Sequence, residues 1–190
     1  MKPIAGGSAT KIAERLLLRF GSIGGVMAAP SLAISECAEP GETWHESLIS
    51  TRALFLMGLE AGVSRSNLDS SDARFRLWLR SQFTGLSEER LLGVFGDGAG
   101  RFIAYKWLAL GGESMVQASA RTIIQSAFDL KARSVILAHN HPSGNASASE
   151  DDIRSTINLQ SLARPLGIEI RDHIILADAN VCSMADRGIL

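Results

Sequence analysis

The sequence lacks the features that mark secreted, membrane and disordered chains. It has only two cysteines among 190 residues, Cys37 and Cys182, which lie far apart and form no metal-binding or redox motif. No apolar run approaches the roughly 20 residues that span a bilayer, and the N-terminal residues lack the apolar core of a signal peptide. With 46% hydrophobic and 21% charged residues, the composition is that of a folded domain. We therefore expect a reduced, cytoplasmic protein that does not associate with membranes.

A strong excess of charge of one sign is also absent. Residues 1–80 carry nine Lys/Arg and eight Asp/Glu, a net of +1, and residues 81–190 carry ten and twelve, a net of −2. Neither half is basic enough to predict phosphate binding by itself. The length excludes a barrel enzyme of about 250 residues, and it fits one domain of average size with a small second one.

The first part of the chain is predicted to be helical. Apolar residues recur at helical spacing over residues 11–20, and two further helices are predicted at 44–59 and 72–83. A glycine-rich stretch at 21–25 is expected to break the first helix. These patterns predict a small helical region over residues 1–72.

The rest of the chain, residues 73–190, alternates between strand and helix patterns. Runs rich in β-branched and aromatic residues predict strands, and amphipathic runs predict helices. In chain order the predicted elements are strands at 89–95 and 102–110 joined by a glycine-rich turn, a helix at 121–131, a strand at 134–139, a helix at 149–163 and a last strand at 168–176. This order predicts an α/β layered domain in which helices flank a mixed sheet.

Two histidines stand where a predicted apolar strand stops. His139 and His141 are two residues apart, so in extended geometry both rings project from the same face. Asp152 follows in the first turn of the next predicted helix and can point back at them. Two neutral imidazoles and one carboxylate form a three-ligand set for Zn²⁺ that leaves one position open for water. Zinc lowers the pKa of that water to roughly 7, which supplies hydroxide at neutral pH.

Each part of this pattern also has an ordinary structural explanation. A single His-x-His is a mild metal signal, and Ser149 with Asp152 has the spacing of a capping box at a helix N-terminus. His173 follows Asp172 in the last predicted strand. It is more commonly a core or strand-end residue than a partner of a metal ligand. The coincidence of an apolar strand, a His-x-His, a loop and a Ser-x-x-Asp favours the metal interpretation.

The spacing of these residues resembles that of a known family. His-x-His, seven residues and then Ser-x-x-Asp match the metal motif of the JAB/MPN (JAMM) metalloproteases. The wider string, from His-Asn-His-Pro-Ser-Gly at 139–144 to Asp-His-Ile-Ile at 172–175, resembles their RadC-like branch, historically described as DNA repair proteins. The resemblance implies a JAB/MPN-type fold over 73–190. Residues 16–29 resemble the helix-hairpin-helix region that precedes this domain in RadC-like proteins.

The resemblance also implies which residues hold the metal and move a proton. His139, His141 and Asp152 would bind one Zn²⁺ per chain. Glu89 would be the general base that accepts a proton from the zinc-bound water and passes it to the leaving amine. Glu88 is the neighbour that a shift of one residue would select instead.

The remaining implied role belongs to Ser149, which would donate a hydrogen bond to the oxygen that becomes negative in the tetrahedral intermediate. The implied reaction is zinc-dependent hydrolysis of a peptide or isopeptide-like amide bond. The sequence does not identify the peptide or amide substrate, and it leaves the oligomeric state open.

An alternative function is that of a DNA-repair-associated accessory protein with nucleic-acid binding and little catalysis. RadC-like proteins usually have Pro-Arg-Glu before the central helix, whereas this chain has Ala-Arg-Thr at 120–122, so Arg121 is expected to be structural. The phosphate-binding turn of a helix-hairpin-helix is glycine-rich, but residues 37–42 have one glycine and two acids. Acids repel a phosphate, so we expect weak or absent DNA binding from this degenerate helix-hairpin-helix.

Overall fold

The computed structural model describes residues 9–110, 119–177 and 180–190. The chain divides into two compact units, Met1–Gly58 and Leu59–Leu190. Within the described ranges, no helix is both long enough and apolar enough to cross a bilayer. The cytoplasmic location stays a prediction from the sequence.

The first unit is helical, as predicted. Its elements are α1 (Ala9–Phe20), α2 (Ile23–Ala28), α3 (Ser31–Ser35) and the greater part of α4 (Trp44–Val63). Their apolar faces share one small core, formed by Ile12, Leu16, Val26, Ala29, Ile34, Cys37 and Trp44.

The predicted break at residues 21–25 is shorter than expected, because α2 already begins at Ile23. Ser22 caps this helix, since its side chain accepts a hydrogen bond from the Gly25 backbone N–H at 3.0 Å. The five-residue α3 was not predicted, because so short a helix shows no readable apolar period.

The second unit is the predicted α/β layered domain. Its elements follow the end of α4 in the order α5 (Ala73–Phe83), β1 (Arg90–Gly96), β2 (Phe102–Leu110), α6 (Ala120–Asp129), β3 (Ser134–Asn140), α7 (Glu150–Ala163), β4 (Glu169–Ala177) and β5 (Asn180–Ser183). The five strands form one mixed sheet in the order β2-β1-β3-β4-β5. Among the strands of the described ranges, only β3 and β4 pair in parallel, and the other three pairings are antiparallel.

Helices cover both faces of this sheet, because alternate residues of each strand point to opposite sides. On one face, α5 packs Phe75, Trp78 and Leu79 against residues that include Leu92 and Ile136. On the other face, α6 and α7 pack against the intervening strand residues, which include Leu91, Phe95, Val135 and Leu137. The histidine pair therefore belongs to the face covered by α6 and α7, since His139 follows Leu137 by two residues.

The position of the site follows from the connection between the parallel strands. Strand β3 leads into α7, and α7 crosses back over the sheet to β4. The start of α7 is consequently brought next to the C-terminal end of β3. This is the edge of an open α/β sheet at which ligands commonly bind.

One sequence prediction differs from this architecture. The strand at 168–176 is not the last one, because β5 pairs with its far side; at four residues, β5 is too short to show an alternation pattern. The second compact unit begins at Leu59, because Leu59, Val63 and Leu68 pack into the core on the α5 face of the sheet. The division into functional domains at 72/73 stays a prediction.

Candidate metal centre

The two histidine rings meet at the end of β3. Although β3 ends at Asn140, the backbone N–H of His141 donates to the carbonyl of Leu176 at 2.8 Å, so the extended pairing continues by one residue. His139 and His141 therefore project from the same face, as predicted. Their ring centroids lie 4.7 Å apart, and their Nε2 atoms face each other at 2.8 Å.

Asp152 reaches these rings from the first turn of α7. Its Oδ1 lies 3.5 Å from Nε2 of His139, and its Oδ2 lies 3.5 Å from Nε2 of His141. Asp152 is held by a capping box: Oδ2 accepts from the backbone N–H and the hydroxyl of Ser149, at 2.8 and 2.6 Å. The ordinary explanation of the Ser-x-x-Asp spacing is thus correct, and the same capping box aims the carboxylate at the histidines.

Glu89 lies one residue before β1, the antiparallel neighbour of β3, and its side chain reaches the histidine pair. Its Oε1 lies 3.5 Å from Nε2 of His141, and Glu89, His139 and His141 each offer one ligand atom within 4.8 Å of the others. Glu88 is exposed, whereas the Glu89 side chain is 33% exposed. Of the two adjacent glutamates, the structure places Glu89 beside the histidines.

A chain of buried hydrogen bonds continues behind His139. Its Nδ1 lies 2.8 Å from Nε2 of His173, and Nδ1 of His173 lies 2.7 Å from the hydroxyl of Thr156. The Thr156 hydroxyl has one hydrogen, and it donates this to the backbone carbonyl of Asp152 at 2.6 Å. Nδ1 of His173 must then carry the proton that Thr156 accepts.

The direction of this chain determines where His139 carries its own proton. Burial holds the pKa of His173 well below its ordinary value of 6.5, so this ring is neutral and its Nε2 can only accept. It accepts from Nδ1 of His139. Burial also lowers the pKa of His139 to about 4, against the opposing attraction of Asp152. A neutral ring protonated at Nδ1 presents a lone pair at Nε2, toward His141.

His141 is oriented in the same way by a different partner. Its Nδ1 lies 2.7 Å from the backbone carbonyl of Asn145, and because a carbonyl only accepts, Nδ1 is the donor. When it carries no second proton, the ring therefore also presents a lone pair at Nε2. Two lone pairs that face each other at 2.8 Å beside two carboxylates repel one another unless a proton or a metal ion lies between them.

This donor set has the chemistry of a metal site. Two imidazole nitrogens and a carboxylate are the usual ligands of a catalytic Zn²⁺, and each histidine ligand commonly donates its other N–H to a protein group. Tetrahedral ligands at about 2.0–2.1 Å from an ion lie roughly 3.3 Å apart. The separations of 2.8 and 3.5 Å between these atoms bracket that value. The residues present therefore fit the predicted metal.

Comparison with known proteins agrees with this geometry. Residues 69–189 match the family described as the RadC-like JAB domain. The chain belongs to this family. A UPF0758 protein of Cellvibrio japonicus is 31% identical over 97% of the chain and 83% of its own length, and one of Chromohalobacter salexigens is 32% identical over 98% and 84%. These names state no activity, so family membership establishes the fold and not the reaction.

Sequence reasoning missed part of the site. The five predicted residues do lie together, but their roles stay predictions. The sequence favours a core residue at His173 over a partner of a metal ligand, and it indicates no role for Thr156, yet both belong to the hydrogen-bond chain behind His139. An Asp-His pair inside an apolar strand was the available signal for His173. For Thr156, the signal was its position one helical turn after Asp152.

Proposed function

We propose that this protein is a zinc-dependent hydrolase of the JAMM type that cleaves a peptide or isopeptide-like amide bond. The observation that carries the proposal is the convergence of acceptor atoms described above, in which His139 and His141 turn their lone pairs toward each other beside Asp152 and Glu89. Membership in the RadC-like JAB family supports it, because the resemblance implies this ligand set.

The two carboxylates divide into a buried ligand and a more exposed base. The Asp152 side chain is 7% exposed and is held by Ser149, so it suits a metal ligand together with the two histidines. The Glu89 side chain is 33% exposed, so it can reach both the site and solvent. A general base needs this access, because it must take up a proton and release it again.

When bound, zinc would supply a Lewis acid that lowers the pKa of a coordinated water to roughly 7. Glu89 would take a proton at its carboxylate and deliver it to the nitrogen of the leaving amine. Ser149 would donate its hydroxyl hydrogen to the substrate oxygen that gains negative charge. In the structure this hydrogen is donated to Asp152 Oδ2, so the proposed role requires the Ser149 hydroxyl to rotate when substrate binds.

A cleft on the same sheet face offers room for a substrate side chain. It has a volume of about 570 Å³, and its apolar floor includes Leu91 and Leu137. Asp151 and Ser155, on α7 next to Asp152, are among its polar lining. An apolar floor with a polar rim suits a peptide better than a strongly charged ligand.

Metal analysis together with a hydrolysis assay tests this function. Purified protein should contain zinc close to one per chain, and it should cleave a mixture of fluorescence-quenched peptides. His139→Ala should abolish both the zinc content and the cleavage, while His45→Ala, in the helical unit, should change neither. A wild-type protein that neither retains zinc nor takes it up on titration would refute the proposal.

Nucleic-acid binding by the helical unit stays a prediction without specific support. The arginines that could attract phosphate are engaged within the unit: Arg15 pairs with Glu39 and Glu42, and Arg19 pairs with Glu36. A backbone N–H of Glu39, the Trp44 side chain and Arg15 lower the pKa of Glu42 to about 2, so this acid stays ionised. Duplex DNA binding whose affinity falls steeply with salt would revive the accessory-protein alternative.

A further inference from the structure

Asn140, between the two histidines, turns its side chain toward the segment that carries Glu89. Its Oδ1 accepts from the backbone N–H of Arg90 at 2.9 Å, and its Nδ2 donates to the backbone carbonyl of Glu88 at 3.0 Å. Asn140 is 6% exposed. One buried side chain thus holds the main chain on both sides of Glu89.

These two bonds begin where the backbone pairing of β1 with β3 ends. The paired residues run from Gly96 and Ser134 to Leu91 and His139. A primary amide carries one acceptor oxygen and a donor nitrogen, as a peptide group does. The Asn140 side chain therefore continues the pairing past the last backbone rung and fixes residues that precede the strand.

We infer that Asn140 is a positioning residue that holds Glu89 on the metal-binding face of the sheet. The inference rests on the proposed function, in which Glu89 is the general base. Successive residues of an extended chain point to opposite faces, so a shift of one residue would turn Glu89 away and Glu88 toward the histidines. The bonds on either side of Glu89 oppose this shift.

The chemistry of the two bonds requires an asparagine at this position. Aspartate would keep the acceptor for the Arg90 N–H, but it would set a carboxylate oxygen against the carbonyl of Glu88. It would also add a negative charge next to Glu89. Leucine has a similar shape but offers neither bond, and alanine removes both.

Amide hydrogen exchange of the metal-free full chain tests the contact itself. In Asn140→Ala and Asn140→Leu, the Arg90 N–H should exchange at least about tenfold faster than in the wild type, because its acceptor is lost. Asn158→Ala, at an exposed position of α7, is the matched control and should leave this rate unchanged. Unchanged Arg90 exchange in both Asn140 variants would overturn the inference, whatever the protein catalyses.

Zinc-loaded protein and the peptide mixture test whether the contact acts through Glu89. Asn140→Leu should keep zinc affinity within about threefold, while kcat falls up to about a hundredfold with KM little changed, because a displaced base loses its reach. In a Glu89→Gln background, the same substitution should cause little further loss. An Asn140→Leu protein that binds zinc and keeps wild-type kcat overturns the inference, as does one that loses zinc like His139→Ala. A wild-type protein that binds no zinc would instead contradict the proposed function.

Discussion

Nε2 of His173 lies 2.8 Å from Nδ1 of His139, and both rings are buried. Through this contact, His173 on β4 fixes which ring nitrogen of His139 on β3 faces the metal site. Thr156 extends this hydrogen-bond chain, because its hydroxyl accepts from Nδ1 of His173 and donates to the backbone carbonyl of Asp152. The orientation of His139 as a ligand is therefore built from three separate elements.

The first prediction concerns this chain of hydrogen bonds. Thr156→Val keeps the shape of the side chain but removes the hydroxyl, so Nδ1 of His173 loses its partner. We expect zinc affinity to fall about 10- to 100-fold, the usual effect of losing an outer partner of a metal ligand. Competition with a chromogenic chelator measures this, and Thr156→Ser should restore most of the affinity. Equal affinity of the valine and serine variants would show that the hydroxyl plays no part.

The second prediction is that zinc stabilises the folded protein. Zinc at a hundredfold excess over its dissociation constant should raise the free energy of unfolding by about 2.7 kcal/mol. Chelation should reverse the gain. Asp152→Asn should lose most of it, because the negative charge of the ligand is removed. Denaturant unfolding with and without zinc measures the difference, and a gain of equal size in Asp152→Asn would place the ion elsewhere.

The third prediction separates the two adjacent glutamates. Glu89→Gln should lower kcat on the peptide mixture by about 10²- to 10⁴-fold, because an amide cannot accept the proton. Zinc content should stay near one per chain, since His139, His141 and Asp152 remain. Glu88→Gln is the matched control and should keep wild-type kcat, because Glu88 is exposed. A comparable loss in the two variants would contradict the assignment.

The fourth prediction concerns the acid sensitivity of the metal-free protein. Burial lowers the pKa of His139 to about 4 and that of His173 well below 6.5, so the folded state binds protons less readily than the unfolded state. These groups contribute stability that is fully present above pH 6.5. The contribution is lost as the pH falls from 6.5 toward 4, because the unfolded chain takes up protons first.

Urea unfolding of the metal-free protein between pH 7 and 4 checks this expectation. The free energy of unfolding should fall as the pH falls. In His139→Asn, the slope of this free energy against pH should be smaller by the equivalent of about one proton, because the variant has one buried titratable group fewer. A slope that is identical in the wild type and in His139→Asn would show that His139 does not titrate differently on folding.

Much of the fold could be predicted because its signals are local. Strand β2 and the helices α1, α5 and α7 can be predicted from the spacing of apolar residues and from capping residues. Each of these signals lies within a segment of about a dozen residues. Strand β5 and helix α3 could not be predicted, since four or five residues carry too little periodicity. They form because neighbouring elements provide a partner strand or a core to pack against.

The spacing that lets His139, His141 and Asp152 converge can be read from the sequence, because a strand, a loop and a capped helix follow one another along the chain. The residues that surround them depend instead on how distant strands pair. The parallel pairing of β3 with β4 sets His173 opposite Leu137, two residues before His139. It thereby brings His173 next to His139, from which it is separated by 34 residues in the sequence. The antiparallel pairing of β1 with β3 likewise decides between Glu88 and Glu89. Strand register arises from packing of the whole sheet, and a shift of one residue exchanges its faces, so no local pattern specifies these contacts.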